Sequence, residues 1–140
     1  MVRVVKGDLL CIDADIICHQ VNLQGYMGGG LALSIAKKFP YVDEDYRNYP
    51  FKMLGGVCFS YTDTFIVANC FSQTEDFDTD YDALRKCLST VKSYMKANRL
   101  KTVAIPYKYG CGIANGDWEK VFKIFRVVFK YFDLLVYQKE

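Results

Sequence analysis

The chain has one histidine, no Cys-x-x-Cys pair, no run of basic residues and no apolar stretch long enough to cross a membrane. Each absence removes a class of protein. Six cysteines without paired spacing, beside a single histidine, leave no zinc site; no metal and no cofactor are expected. A net charge of +2, with lysines scattered singly along helix faces, does not describe a nucleic-acid surface, so no nucleic-acid partner is expected. The N-terminus lacks the apolar core of a signal peptide, which together with the missing span places the chain in the cytoplasm with no membrane partner. Most of the cysteines (Cys11, Cys18, Cys58, Cys70, Cys87, Cys111) sit in apolar runs, where free thiols behave as small core residues in a reducing compartment.

What is present is apolar and aromatic. The 140 residues, 51% hydrophobic and 16% aromatic, are enough for one domain, 1–140, with a sheet buried on both faces. Strands are expected at Val2–Lys6, Ala14–Val21, Lys101–Pro106 and Leu134–Tyr137, with a strand pair Gly56–Tyr61 and Thr64–Phe71 turning at Thr62-Asp63. Helices are expected at Gly30–Phe39, where Pro40 interrupts the path, at Tyr41–Tyr49, at Asp80–Asn98, and from Trp118 along a stripe running to Phe132. Thr79 followed by Asp82 resembles a capping pattern for the long helix. Strands alternating with helices, plus a hairpin, give an α/β fold: a three-layer α/β/α sandwich around a central mixed sheet.

Two glycine clusters stand out. Gly28-Gly29-Gly30 follows the second strand and opens a helix; Gly110, Gly112 and Gly116 recur between the strand ending at Pro106 and the helix from Trp118. Strand, glycine loop, helix is an arrangement that cradles phosphates, because bare backbone and helix-start amides can approach an anion. Neither cluster has the Gly-Lys-Ser/Thr ending of a nucleotide kinase or the spacing of a dinucleotide fingerprint. His19 and Asn22 close the second strand, where ligands of parallel sheets sit; each reads equally as a structural hydrogen-bonding residue. Asp117 is either an N-cap or a carboxylate beside the phosphate loop. Asp8 is a turn residue or an acceptor for an exocyclic amine, and Tyr137 a core residue or a stacking ring.

Gly7-Asp8-Leu9-Leu10, Asp15 through Asn22, Gly28 through Ala32 and Gly110-Cys111-Gly112-Ile113, in that order, resemble the macro domain, an ADP-ribose-binding module, over nearly the whole chain. A monomer is expected, and the resemblance implies that its ligand is ADP-ribose or ADP-ribose-1″-phosphate, or ADP-ribose carried on a modified protein. It implies that Asp8, next to Leu9, binds the adenine amine and Tyr137 stacks on adenine. Asn22 sits at the distal ribose, and Gly28, Gly29, Gly30 and Leu31 flank ribose and pyrophosphate. Gly110, Cys111, Gly112, Ile113 and Ala114 wrap the pyrophosphate, and Phe71 and Gln73 line the adenosine side. Family members that release terminal ADP-ribose pair a lysine after the central strand with an aspartate; here Ala68–Gln73 holds no lysine and Ala114 takes the aspartate position. His19 and the Gly-Asp-Trp aspartate, Asp117, instead resemble the phosphatase-like members, implying hydrolysis of ADP-ribose-1″-phosphate with these two as the catalytic pair. A non-catalytic reader of ADP-ribose and a hydrolase that removes ADP-ribose from modified substrates are the alternatives.

Overall fold

The computed structural model describes residues Met1–Lys139. Six strands form one sheet in the order β1-β6-β5-β2-β4-β3: β1 Val2–Lys6, β2 Ile16–Val21, β3 Val57–Tyr61, β4 Ile66–Phe71, β5 Thr102–Pro106 and β6 Asp133–Gln138. All neighbours run parallel except β3, which pairs antiparallel with β4, so the expected mixed sheet is present. Strand residues alternate between two cores. Ile16, Cys18, Ala68, Cys70, Val103, Ile105, Leu134 and Val136 pack against α3 (Tyr81–Ala97) and α4 (Trp118–Val128). Ile17, Val21, Val67, Phe71, Ala104 and Leu135 pack on the other face, against α1 (Gly30–Lys38) and α2 (Pro40–Asn48). Both faces of the sheet are therefore covered, which is the three-layer sandwich.

Several boundaries differ from the sequence reading, each for a local reason. β2 begins at Ile16 rather than Ala14 because Asp15 is spent on the neighbouring loop: its Oδ2 accepts from the amides of Lys101 and Thr102. Burial alone would raise the Asp15 carboxyl, but these hydrogen bonds hold it below the ordinary carboxylate value. Pro40 starts α2 instead of only ending α1, since a proline at the first helical position loses no intrahelical bond. The cap of α3 is Asp80, whose Oδ1 accepts from the Ala83 amide at 2.8 Å; Thr79 has another task. α4 stops at Val128, so Phe132 reaches the core from the following turn rather than from the helix stripe. Cys18, Cys58, Cys70 and Cys87 are buried and all six thiols are free.

Candidate functional site

The parallel strands β2 and β5 are neighbours, and both end at the same edge of the sheet. The loops that leave them face each other across a cleft of about 770 Å³. One wall is His19–Asn22 with Tyr26–Ala32; the other is Pro106–Gly110 with Gly112–Ala114, and Gln73 and Phe77 also border the space. The volume suits a ligand of nucleotide size. A groove of similar volume, about 750 Å³, lies between α3 and α4, but long side chains such as Arg85, Lys120 and Lys123 line it, with no glycine backbone.

The second loop is folded tightly on itself. Gly110 has φ +67°, and a Cβ there would stand 2.6 Å from Thr79 Oγ1. Gly116 lies so close to Gly110 that a Cβ would meet its carbonyl oxygen at 2.4 Å. The Gly110 carbonyl accepts from Thr79 Oγ1 at 2.7 Å and from the Gly116 amide at 2.8 Å. These contacts close the loop and anchor it to the start of α3. Gly112 and Gly29, by contrast, have nothing within 4 Å of the Cβ direction, so each offers open backbone. Gly28 does not: it lies under the ring of Tyr26.

The first loop is pinned by Asn22 and Tyr46. Asn22 Oδ1 accepts from the amides of Gln24 and Tyr26, and its Nδ2 donates to the Tyr26 carbonyl. The buried Tyr46 hydroxyl donates to the Asn22 carbonyl at 2.6 Å and accepts from the amides of Gly25 and Tyr26. Burial pushes this phenol up to about 12, so it stays neutral. On the other face of β2, Gln20 Nε2 bonds Ser72 and Thr79, which links the strand to the glycine loop through Thr79.

His19 is 1% exposed, and its Nε2 lies 2.6 Å from Asn69 Oδ1 in the paired register position of β4. The Asn69 amide nitrogen already donates to the Cys58 carbonyl and to Ser60 Oγ. Asn69 Oδ1 is thus the acceptor, His19 Nε2 carries the proton, and Nδ1 presents a lone pair. That Nδ1 is a buried polar atom without a partner among the described residues. Burial drives the imidazole down to about 4, against a weaker upward pull from Asn69, so His19 is neutral at pH 7.

Of the residues singled out in the sequence, His19, Asn22, Gly28, Gly29, Gly30, Leu31, Gln73, Gly110, Gly112, Ile113 and Ala114 line this cleft. Others do not. Asp117 caps α4, accepting from the Glu119 amide at 3.0 Å, and is not part of the cleft wall, so it forms no pair with His19 there. Asp8 caps the short 3₁₀ turn Leu9–Cys11 through the Leu10 amide, and Leu9 is buried. Phe71 is fully buried and stacks on Tyr49 at 5.9 Å, inside the core instead of beside a ligand. Cys111 turns its thiol to the Tyr109 carbonyl, and Tyr137 packs half-buried against the core on the α1–α2 side. Tyr26, Phe77, Tyr107 and Lys108 also line the cleft, and the sequence reading gave none of them a ligand role, although Tyr107 and Lys108 lead into the second glycine cluster. Among the described residues no three metal-ligating side chains cluster.

No family model matches the sequence. A bovine protein, ADP-ribose glycohydrolase OARD1 of Bos taurus, is 31% identical over 134 residues, covering 94% of this chain and 86% of that protein. Among solved structures, a protein of unknown function from Bacteroides thetaiotaomicron superposes with a TM-score of 0.89 at 29% identity, covering 99% of this chain and 98% of the other. The macrodomain of Mycobacterium tuberculosis DarG gives 0.86 at 22% identity, covering 98% and 97%. Thermosipho africanus DarTG, solved in complex with ADP-ribose, gives 0.86 at 17% identity, covering 98% of this chain and 41% of that one. The last two likenesses are ones of fold.

Proposed function

The chain belongs to the macro domain family, and from that premise we propose that its cleft binds ADP-ribose and hydrolyses ADP-ribose-1″-phosphate to ADP-ribose and phosphate. The carrying observation is the pairing of two open-backbone glycine loops across one cleft, bordered by a neutral histidine whose buried Nδ1 has no partner among the described residues. Amides of Gly29 and of Gly112–Ala114 suit a pyrophosphate, which takes many donors and no side chain larger than hydrogen close by. The printed name of the bovine relative and the ADP-ribose held by the Thermosipho protein support the same ligand.

For the chemistry, His19 is the group in the right state. In this scheme ligand binding opens the buried Nδ1 to a water; Nδ1 takes a proton as that water attacks phosphorus, the bond from phosphorus to the anomeric oxygen breaks, and the imidazolium gives the proton to that oxygen. Asp117 has no part in this scheme, because its carboxylate serves the helix cap. Calorimetry with ADP-ribose, followed by phosphate release from ADP-ribose-1″-phosphate, tests the reading: binding with release supports it. Tight binding without release leaves the reader function instead. The relative's printed name favours a second reading, release of ADP-ribose from a modified substrate, and liberation of ADP-ribose from an ester-modified protein, with no phosphate release, would select it. The absence of a lysine in Ala68–Gln73 weighs against that second reading.

A further inference from the structure

Among the residues lining the cleft, Lys108 is the one that brings a formal charge; no carboxylate shares the wall with it. Its backbone is unusual for its type: φ is +60°, a left-handed conformation that costs a residue with a Cβ free energy and that glycine adopts freely. It arises because Pro106–Tyr109 and Lys108–Cys111 are successive tight turns, closed by Tyr109 N to the Pro106 carbonyl and Cys111 N to the Lys108 carbonyl. Phe77, on the cleft border, is the other lining residue that is not glycine and has positive φ. Strain held at a site and not relieved by glycine points to a use for the side chain. The Lys108 ammonium lies 5.5 Å from the centre of the Tyr107 ring and is in no ion pair among the described residues. It is an exposed cation on the cleft wall beside the glycine loop, with only a weak cation–π contact to give up.

We infer that Lys108 is a specificity-determining residue that swings from Tyr107 to counter the negative charge of the ligand's phosphates, so that the cleft selects diphosphate-bridged ligands over uncharged ones of similar shape. This rests on the ADP-ribose reading above. Backbone amides supply dipoles but no net charge. A ligand with two or more negative charges enters a wall that is otherwise neutral, and one lysine at the loop provides the compensating charge.

The test is ADP-ribose titration at low and high salt for wild type, Lys108→Arg, Lys108→Met and Lys108→Gly, each beside a melting curve. Lys108→Met and Lys108→Gly are expected to weaken binding about tenfold or more, the loss of one charge-assisted contact, and to flatten the salt dependence of affinity. Lys108→Arg is expected to keep most of both. Lys108→Gly is expected to melt no lower than wild type, because glycine relieves the positive φ, and this separates lost contact from lost fold. Wild-type affinity and salt dependence in both Lys108→Met and Lys108→Gly would overturn the role of Lys108 alone. A wild-type protein that ignores ADP-ribose would overturn the ligand reading and this inference with it.

Discussion

His19 is the residue on which the proposed chemistry turns, and its burial makes a prediction about stability as well. The folded imidazole titrates at about 4 and the unfolded one near 6.5. Below 6.5 the unfolded chain takes up a proton that the folded one refuses, so stability is fully present above that value and is lost as the pH falls to about 4. The loss across this window is about 3 kcal/mol, and urea midpoints measured between pH 7 and pH 4 should show it. Asp15, held below its ordinary value, acts in a separate and more acidic window. Since the chain has one histidine, its ring signals report the titration directly; a midpoint near 6.5 in the folded protein would contradict the buried neutral state. The same neutrality sets the activity profile: phosphate release should hold steady down through pH 6, with its acid limb near pH 4. Asp117 makes the opposite prediction. Asp117→Ala should cost about 1 kcal/mol through the lost cap, Asp117→Asn much less, and phosphate release per folded molecule should survive in both.

The glycine loop from Gly110 to Gly116 shows how differently its members act. Gly110→Ala meets Thr79 and a positive φ, and Gly116→Ala meets the Gly110 carbonyl, so each should cost roughly 1–3 kcal/mol of stability, read as a lower denaturation midpoint, and loosen ligand binding as a consequence. A Cβ at Gly112 meets nothing within 4 Å, and its φ is not in the left-handed region, so Gly112→Val should fold as wild type and still obstruct the ligand. Equal melting curves with undiminished ADP-ribose affinity would remove Gly112 from the phosphate wall. The elements that carry these loops were largely legible: the strands and helices announce themselves through runs such as Ile16–Cys18 and the α4 stripe, since burial on a sheet or helix face needs those periods. What was not legible was where side chains compete with the elements. Asp80 rather than Thr79 capping α3 depends on Thr79 being taken by Gly110, a contact 31 residues away.

At the scale of the whole molecule, the site is a product of sheet order. Placing β2 beside β5 brings loops from distant parts of the chain to one edge, and glycine clustering was enough to find both of them from the sequence. Tyr26, Phe77 and Lys108 were given no role in the sequence because their places on the cleft come from the path of the folded loops, two of them through a positive φ that no spacing encodes. Likewise the tautomer of His19 follows from Asn69, its register partner 50 residues on, while burial keeps the ring neutral. A cleft built from two separated loops should respond most to a ligand that touches both. ADP-ribose at one hundred times its dissociation constant should stabilise the fold by about 2.7 kcal/mol, because it binds the assembled loops and not the unfolded chain. For a domain of this size that is a rise of roughly 5–10 °C in melting temperature. AMP and ribose 5-phosphate, each spanning part of the cleft, should give a much smaller rise at the same concentration. Equal shifts for AMP and ADP-ribose would mean that one loop does all the binding and that the facing of the two across the cleft has no energetic consequence.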